Sequence, residues 1–228
     1  MLLVVMSKIK KHDVVVGVGR ELVGMDEIRA LNSSLMGFNY MNDLSSDKVY
    51  PVNLDAYAAQ SGIDVAHAFA EVKAILDKFL VKVYTVKLAP GRSFVGTVLA
   101  GYEKDENYYT LRVQWNSLLI PYLSGELNPG EFITIDSKMG NISSEKRYKL
   151  YEYLSKNLMY RGKLVVEYQE VRDVLQVEPH QYREFKDLNK RLIQPTLDDI
   201  WKELHIRITT SCSRGRITFI TKKAAVPA

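Results

Sequence analysis

The chain has 228 residues, 46% of them hydrophobic and 25% charged, so it can form one large domain or two ordinary ones with real cores. Its formal net charge is only +4, but residues 141–228 carry 17 Lys and Arg against 11 Asp and Glu, whereas residues 1–140 carry 14 against 16. This asymmetry indicates a nucleic acid or another anionic partner for the C-terminal part. The alternative is an ordinary soluble protein with a basic end.

Several classes of protein are excluded by what the sequence lacks. The single cysteine, Cys212, excludes an internal disulfide framework. The four histidines are isolated in the sequence, so we expect no zinc site, no other metal and no cofactor. The opening MLLVVM is too short for a secretory signal and precedes its lysines, and no apolar run approaches a membrane span of about 18 residues. We therefore expect a cytoplasmic protein with no membrane partner.

Helical and strand patterns alternate through the N-terminal part. Residues 25–42 carry an apolar stripe at spacings of three and four, which predicts a helix. The patterns that follow are a short strand (48–53), two helices (54–63 and 64–80) around a tight turn at Ser61–Gly62, two β-rich runs (80–89 and 93–102) joined by Pro-Gly-Arg at 90–92, a strand (108–115), and a short helix or turn with one more strand (117–136). Asp64 is a suitable N-cap for the second helix of the pair.

The C-terminal part shows the same order of patterns. They are a helix (143–158) capped by Ser143 or Ser144, a short strand (163–168), a short helix (170–177), a second helix (180–194) after a turn at Glu178–Pro179, and a hairpin (205–223) around Ser213–Arg214–Gly215. Pro195 either ends the second helix or kinks it into residues 196–204.

Apolar residues recur with identical gaps in the longer helix of each half. The gaps of three, three and four residues separate Phe69, Val72, Ile75 and Phe79, and again Tyr182, Phe185, Leu188 and Leu192. Four positions could match by chance, but the shared order of elements supports a repeat. A helix–turn–helix followed by a hairpin is the winged-helix arrangement. The sequence therefore predicts an α+β fold of two tandem winged-helix domains, at 1–137 and 138–228.

The second helix of the C-terminal domain, within HQYREFKDLNKRLIQP (180–195), is the main candidate for reading DNA. In such a module this helix enters the major groove, where arginine suits guanine, asparagine or glutamine suits adenine, and lysine attracts phosphate. The polar residues of its outward side are Arg183, Lys186, Asn189, Lys190, Arg191 and Gln194, with Glu184 and Asp187 among them. The alternative is an ordinary solvated face with pairs such as Arg183–Asp187, and composition alone favours neither.

The hairpin favours DNA contact by this domain. Its tip places Ser213, Arg214 and Arg216 around Gly215, and a glycine lets the backbone approach a phosphate closely. A wing with two arginines beside a cationic helix is what a domain that straddles the DNA backbone needs. We therefore predict that the C-terminal domain contacts DNA.

The N-terminal domain has a weaker set of candidates. Its second helix offers His67, Lys73 and Lys78, and Arg92 lies at the tip of the predicted hairpin. Acidic residues on the same helix, Glu71 and Asp77, and the near-neutral charge of this half predict weak DNA binding on its own, because phosphate neutralisation supplies much of the binding free energy. This domain is a candidate for self-association instead.

Three further features are interpreted as structural. VVVGVGRELVG (14–24) looks like a strand and a Gly-rich phosphate loop, but position 22 is leucine where a third glycine is required, and no βαβ unit follows. Cys212 is interpreted as a packing residue rather than a redox-sensitive thiol. Acidic pairs such as Asp198–Asp199 have no nucleophile or histidine in a matching element, so no catalytic residue is expected and the protein is predicted not to be an enzyme.

Residues 20–222 resemble the iteron-binding replication initiators, the Rep proteins, of theta-replicating plasmids. The clearest stretches are VNLDAYAAQSGIDVAHAFAEVKAILDKFL (52–80), WNSLLIPYLSGE (115–126), RYKLYEYLSKNLMYRGKLVVEYQEVRDVLQV (147–177), YREFKDLNKRLIQPTLDDIW (182–201) and SRGRITFI (213–220). No single short motif is diagnostic; the signal is a long pattern of matched residue types, which is stronger in the C-terminal domain.

The resemblance implies tandem winged-helix domains that bind repeated origin sequences (iterons) as a monomer. It also implies a homodimer, joined through the N-terminal domain, that binds an inverted repeat and represses the initiator's own gene. A neighbouring A·T-rich segment would be unwound, and the host initiator and replicative helicase recruited there. The two second helices would lie in successive major grooves, which predicts a site of about 15–20 bp.

The resemblance also assigns the contacting residues. The C-terminal reading helix would be 180–194 with its wing at 211–216, and its N-terminal counterpart 64–80 with Arg92 at its wing. The double-stranded DNA contacts predicted in this way are Tyr182, Arg183, Lys186, Asn189, Lys190, Arg191, Ser213, Arg214, Arg216, His67, Lys73, Lys78 and Arg92.

Other functions are weighed against initiation. A rolling-circle nuclease requires a His-x-His metal motif, which the sequence lacks despite its fourteen tyrosines. A winged-helix transcriptional repressor or architectural DNA-binding protein would use the same two domains without initiation, and the sequence alone does not separate it. An interaction module that does not bind DNA would keep the fold but lack salt-sensitive binding.

Overall fold

The structure of the chain is a computed structural model that describes residues 8–36, 44–89, 91–124, 132–159 and 161–222. The chain divides into two compact units, Met1–Ser137 and Lys138–Ala228. This division falls where the sequence places the domain boundary. Each unit is described by itself below.

The first unit contains five α-helices and seven strands within the described residues. The helices are α1 (Asp13–Arg20), α2 (Met25–Leu35), α3 (Leu54–Ser61), α4 (Val65–Val81) and α5 (Ile120–Leu123). The strands are β1 (Lys8–His12), β2 (Tyr50–Pro51), β3 (Tyr84–Ala89), β4 (Arg92–Gly96), β5 (Leu99–Asp105), β6 (Thr110–Trp115) and β7 (Phe132–Asp136). The predicted helix at 25–42 is described only as far as residue 36, because 37–43 lie outside the described residues.

The helix–turn–helix of the first unit follows from its capping residues. Asn53 caps α3 by accepting a hydrogen bond from the Ala56 amide (2.9 Å), and Asp64 caps α4 by accepting one from the His67 amide (2.8 Å). Gly62 ends α3 with a φ of 70°, a left-handed conformation that glycine adopts without steric cost. The predicted turn and the predicted cap at Asp64 are therefore confirmed.

The strand order shows which hairpin is the wing of the first unit. β2, β6 and β5 form a three-stranded sheet in the order β2-β6-β5, so the β5–β6 hairpin that follows the helix–turn–helix is the wing. β3 and β4 form a separate two-stranded sheet inserted between α4 and that wing. The prediction that Arg92 lies at the wing is therefore wrong: Arg92 begins β4 of the inserted hairpin.

The glycine-rich segment near the N-terminus is a helix rather than a phosphate loop. Residues Asp13–Arg20 form α1, and a Cβ at Gly17 would lie 2.2 Å from Val86 Cγ1 of β3. This glycine is present because the helix packs directly against a strand, and a larger side chain would push them apart. The sequence resembled a strand and loop only because three valines precede the first glycine.

The second unit repeats the order of elements from α2 to β6 without the inserted hairpin, and it has no counterpart of β1, α1, α5 or β7 within the described residues. Its elements are a 3₁₀ turn (Ser137–Asn141) at the division, α6 (Glu145–Asn157), β8 (Lys163–Glu167), α7 (Tyr168–Val174), a long helix in three segments (Phe185–Leu188, Asn189–Ile193 and Gln194–Leu204), β9 (Arg207–Ser213) and β10 (Arg216–Lys222). Its sheet order, β8-β10-β9, corresponds to β2-β6-β5 of the first unit. The predicted fold of two tandem winged-helix domains is confirmed.

The long helix, residues 185–204 and here called the reading helix, differs from the prediction at both ends. It begins at Phe185 rather than at 180, and it continues through Pro195 to Leu204. Asn189–Ile193 is a π-helical turn that ends two residues before the proline. Thr196 donates its hydroxyl to the Leu192 carbonyl (2.7 Å), so that carbonyl is satisfied close to the proline, and the helix is not interrupted.

The predicted repeat of apolar residues fails because the helix begins later than predicted, and the π turn then shifts the correspondence once more. Tyr182, its first member in the C-terminal domain, lies outside the helix with a φ of 46°. Counted from each helix start, buried Ala68 and Val72 correspond to Leu188 and Leu192. Beyond the π turn the correspondence moves by one residue, because a π turn inserts an extra one. The later buried positions 75, 76 and 79 of the first unit then match 196, 197 and 200.

No helix among the described residues is both long enough and apolar enough to cross a bilayer. Within the same part of the chain, no group of three or more His, Cys, Asp or Glu side chains could hold a metal ion. Cys212 is a half-buried free thiol on β9.

Candidate nucleic-acid interface

One side of the reading helix is polar and accessible. Leu188, Leu192 and Ile193 are buried against the rest of the second unit. The exposed residues of its first half are Lys186, Asp187, Lys190, Arg191 and Gln194, with Arg183 exposed just before the helix. The helix therefore presents three cations and an amide to solvent at its N-terminal half, the part that contacts base edges in helix–turn–helix proteins.

The cations of this surface are not neutralised by neighbouring acids. Among the described residues, no acidic side chain forms an ion pair with Lys186, Lys190, Arg191 or the wing arginines. The pair between Arg183 and Asp187 that an ordinary solvated face would contain is not formed. Unpaired cations are free to attract phosphates, so the structure favours an anionic partner over a solvated face.

The wing of the second unit ends in a tight two-residue turn. Ser213 and Arg216 are opposite each other in the β9–β10 ladder, and the two residues between them have left-handed backbones, with φ of 51° at Arg214 and 75° at Gly215. Two successive left-handed residues characterise a type I′ turn, which keeps the twist of the flanking strands. Ser213, Arg214 and Arg216 are all exposed at this tip, as the sequence predicts.

Tyr168 connects the wing to the segment before the reading helix. Its amide donates to the Gly215 carbonyl (2.8 Å), and its hydroxyl donates to the Tyr182 carbonyl (2.6 Å). The arginine-bearing turn and residues 182–183 are thus tied to one residue at the start of α7. This places Arg183 and Arg214 at the same end of the second unit.

Arg172 holds the turn that leads into the reading helix. Its side chain is 5% exposed, and its guanidinium donates to the carbonyls of Glu178 (2.9 Å), Gln181 (2.7 Å) and Tyr182 (2.5 Å). A guanidinium has five donors in a fixed geometry, which suits several carbonyls that converge on one point. These bonds also stabilise the left-handed backbone of Tyr182, a conformation that costs a non-glycine residue about 1–3 kcal/mol.

Neither Tyr168 nor Arg172 is among the residues predicted from the sequence. They lie on the short helix α7, whose pattern predicts only a scaffold element. Arg172 is buried, as are its apolar neighbours Val171 and Val174, whereas Asp173 is exposed. A charged residue among the apolar positions of a short helix is the signal that could have indicated a buried arginine.

The structure changes the assignment of the two amide side chains. The Asn189 carboxamide oxygen is buried and has no hydrogen-bond partner among the described residues, so it does not face a base edge. Gln194 is exposed one turn further along and donates to Asp198 (2.8 Å). Gln194 is therefore better placed than Asn189 to contact adenine.

In the first unit the predicted DNA-contacting side chains of α4 are each engaged with an acid. His67 Nδ1 lies 2.7 Å from Asp64, Lys73 Nζ lies 3.4 Å from Asp77, and Lys78 Nζ lies 3.3 Å from Glu27. The first two pairs are on the protein surface, whereas the Glu27 side chain of the third is only 14% exposed. The structure thus leaves little unopposed positive charge on the exposed face of this helix.

The acids of α4 are themselves held in place. Asp77 accepts a hydrogen bond from the Tyr102 hydroxyl (2.6 Å), and this bond holds the pKa of the carboxyl below its usual range. Asp77 is therefore ionised at neutral pH, where it opposes Lys73. Glu71 accepts a hydrogen bond from the Tyr57 hydroxyl (3.0 Å). These fixed carboxylates therefore oppose contact between α4 and the phosphates of DNA.

The wing of the first unit has different chemistry from that of the second. The β5–β6 tip consists of Asp105–Glu106–Asn107–Tyr108–Tyr109, with no arginine or lysine. The side chain of Arg92, the residue predicted at this place, lies outside the described part of the chain.

Comparisons with known proteins agree with the winged-helix fold of the two units. Residues 167–221 match the family described as "Initiator Rep protein, WH2". This match begins at the last residue of β8 and covers α7, the reading helix and the wing, that is, the elements that carry the free cations. No curated protein matches the sequence.

Two solved structures are similar to the chain at low sequence identity, which establishes the fold. The crystal structure of the Pi initiator protein in complex with iteron DNA has a TM-score of 0.76 at 13% identity, and the similarity covers 97% of this chain and 100% of that chain. A structure of domains 2 and 3 of RctB has a TM-score of 0.53 at 11% identity, covering 87% of this chain and 81% of that chain. The family match bears out the resemblance to initiator Rep proteins over residues 167–221, which are similar to the WH2 domain of that family.

Proposed function

We propose that the chain is an iteron-binding plasmid replication initiator that recognises repeated double-stranded DNA mainly through its second unit. One observation carries the proposal: the region similar to the WH2 domain of initiator Rep proteins has Lys186, Lys190 and Arg191 unpaired and exposed on its reading helix. Arg183 and the wing turn are tied to the same end of that unit by Tyr168. Phosphate contacts from such cations supply affinity, and the arginines and Gln194 supply base contacts.

The role proposed for the first unit is self-association together with limited contact to the DNA backbone. The inserted β3–β4 hairpin supports this role, because Val95 of β4, which lies opposite Thr85, is 54% exposed and Val83, directly before β3, is 60% exposed. Exposed apolar side chains on a strand surface are common at protein interfaces. Replacing both valines by lysine in the full chain should shift sedimentation toward the monomer; an unchanged distribution would place the interface elsewhere.

The later steps of initiation follow from the family alone. Free energy from phosphate contacts and DNA bending would help to unstack a neighbouring A·T-rich segment, where the host initiator and the replicative helicase would be recruited. No catalytic chemistry is required of this chain in that scheme.

Footprinting of the full chain on the DNA that flanks its own gene tests the proposed function. Protection of tandem direct repeats, each about 15–20 bp and next to an A·T-rich stretch, is the expected result. Protection of a single palindrome with no direct repeats would instead identify a repressor. Binding without dependence on salt would exclude both, because the cationic surface requires release of counterions from the phosphates.

A further inference from the structure

We propose that the wing of the first unit, the β5–β6 hairpin, is a docking site for a cationic surface of another protein. The inference builds on the proposed function, since it concerns the wing that the DNA-reading surface does not use. It starts from the strand order. This hairpin has the same place in its unit as the arginine-tipped hairpin has in the second unit, yet its tip is acidic and aromatic.

The charges of this wing oppose contact with phosphate. Both of its cations are already engaged, Lys104 with Glu106 and Arg112 with Glu103 at 3.7 Å. Asp105 remains as the unopposed charge, so residues 103–112 carry a net charge of −1. In the second unit the corresponding tip carries two unpaired arginines. A duplex that approached both wings would be attracted by one and repelled by the other.

A large aromatic side chain is held outward at the tip. Tyr108 is 77% exposed, and its amide donates to Asp105 Oδ1 (3.3 Å), as does the amide of Asn107 (3.0 Å). This Asx turn fixes the backbone from which the ring projects. The next residue, Tyr109, has a φ of 48° and packs edge-on against the Phe69 ring of α4, with 5.7 Å between ring centroids. The tip is therefore anchored to the core of its unit.

An exposed tyrosine on a preorganised turn is suited to protein recognition. Tyrosine is enriched among the residues that dominate binding at interfaces, because it contributes a large contact area at a small cost in side-chain entropy. The flanking carboxylates then select the partner by charge. The fitting surface carries Lys or Arg around an apolar recess for the phenol ring.

A second copy of this chain fits less well than another protein. The cationic surface that the second copy offers is the reading helix and its wing, which the proposed function assigns to DNA. An acidic wing seated there would compete with origin DNA for the same cations. The partner inferred is therefore a different protein, one that the initiator can bind while it remains on DNA.

The test uses the full chain with the photoreactive residue p-benzoylphenylalanine in place of Tyr108, expressed in cells that carry the replicon. The matched control carries the same residue in place of Arg214 at the other wing tip. After irradiation, position 108 should give an adduct with another protein through a peptide of net positive charge, and position 214 should give an adduct with DNA. The double substitution Glu103→Lys and Glu106→Lys should reduce the protein adduct at position 108 at least fivefold.

Four results would overturn the inference: an adduct of position 108 with DNA, an adduct with a second copy, no adduct, or an adduct that the charge reversals leave unchanged. In parallel, the purified Tyr108→Ala chain should bind origin repeats within about twofold of the unsubstituted protein; a larger decrease would mean that the wing contacts DNA. If the unsubstituted protein itself does not bind repeats, the proposed function fails. The cross-linking result then still decides whether the wing docks a protein.

Discussion

The second helices of the two units occupy the same place in the same fold, but their positive charges are arranged differently. On α4, Lys73 and Lys78 each face an acid, and His67 faces Asp64. On the reading helix, Lys186 and Lys190 have no acidic partner among the described residues. The number of cations per helix is similar. The two helices differ in whether those cations are paired with acids, and the proposed assignment of DNA reading to the second unit rests on this difference.

The turns that precede these two helices also differ, both in length and in the contacts that hold them. Residues 62–64 connect α3 to α4, and this turn is formed by its own glycine and its own capping aspartate. The segment from Leu175 to Glu184 is longer and is held by Arg172 and Tyr168. A longer segment places Arg183 in front of the helix, where it adds one more exposed cation to this surface. The cost is that its conformation depends on one buried side chain.

The largest effect is expected from removing that side chain. Arg172→Met should lower the stability of the second unit by about 3 kcal/mol, because several carbonyls lose their donor together. It should also weaken origin binding at least tenfold, because residues 178–184 are no longer held. Hydrogen exchange of the amides of 178–188 in the full chain measures the opening, and Arg172→Lys, which keeps one charge and fewer donors, should show a smaller change. Unchanged exchange in both variants would remove Arg172 from this role.

Base reading at the N-terminal half of the reading helix gives the next effect. Arg183→Ala and Gln194→Ala should each weaken binding by about 1–3 kcal/mol on the cognate repeat and less on random DNA. Asn189→Ala is the matched control: because its oxygen is buried, its effect should be on stability rather than on the preference for the cognate sequence. Equal effects on cognate and random DNA would make Arg183 and Gln194 backbone contacts.

The wing of the second unit should contribute through phosphates alone. Arg214→Ala and Arg216→Ala should each reduce the slope of log K against log salt concentration by about one unit, on any sequence. Binding titrations at four or more salt concentrations give the slope. A slope that stays the same would place the wing outside the interface.

A gain of binding should follow from freeing the cations of the first unit. Asp77→Asn leaves Lys73 without its acid, and Glu27→Gln does the same for Lys78. Each substitution should raise affinity for random DNA by a few-fold and steepen the salt slope by up to about one unit. Asp55→Asn on α3 removes an exposed carboxylate that has no ion pair among the described residues, so it controls for net charge. Equal gains from all three would mean that only net charge matters.

Much of the fold follows from local sequence signals. The cap at Asp64, Gly62 in the turn, and the alternating strands around Arg214–Gly215 each determine their own neighbourhood, so the helix–turn–helix of the first unit and the C-terminal hairpin were predicted correctly. The start of the reading helix was not, because the Arg172 contacts that keep 178–184 non-helical come from another element. Tyr182 has the spacing of an apolar residue on a helix, but its backbone is left-handed rather than α-helical.

The remaining errors have the same non-local origin. Pro-Gly at 90–91 is a good hairpin turn, and nothing in its composition distinguishes an inserted hairpin from the wing; only the pairing of β5 with β6 does so. Likewise, the sequence predicts cations on both second helices. It does not show that Lys78 is paired, because its partner Glu27 is 51 positions away. Such pairing decides which helix remains positively charged.

The salt dependence of origin binding by two matched variants shows most directly which unit contacts the DNA phosphates. One variant replaces Lys186, Lys190 and Arg214 by alanine, and the other replaces His67, Lys73 and Lys78. The first should reduce the magnitude of the slope by about three units, at roughly 0.9 for each phosphate that is no longer neutralised, and the second should leave it nearly unchanged. Equal reductions in the two variants would show that both units grip DNA alike, and would contradict the assignment of DNA reading to the second unit.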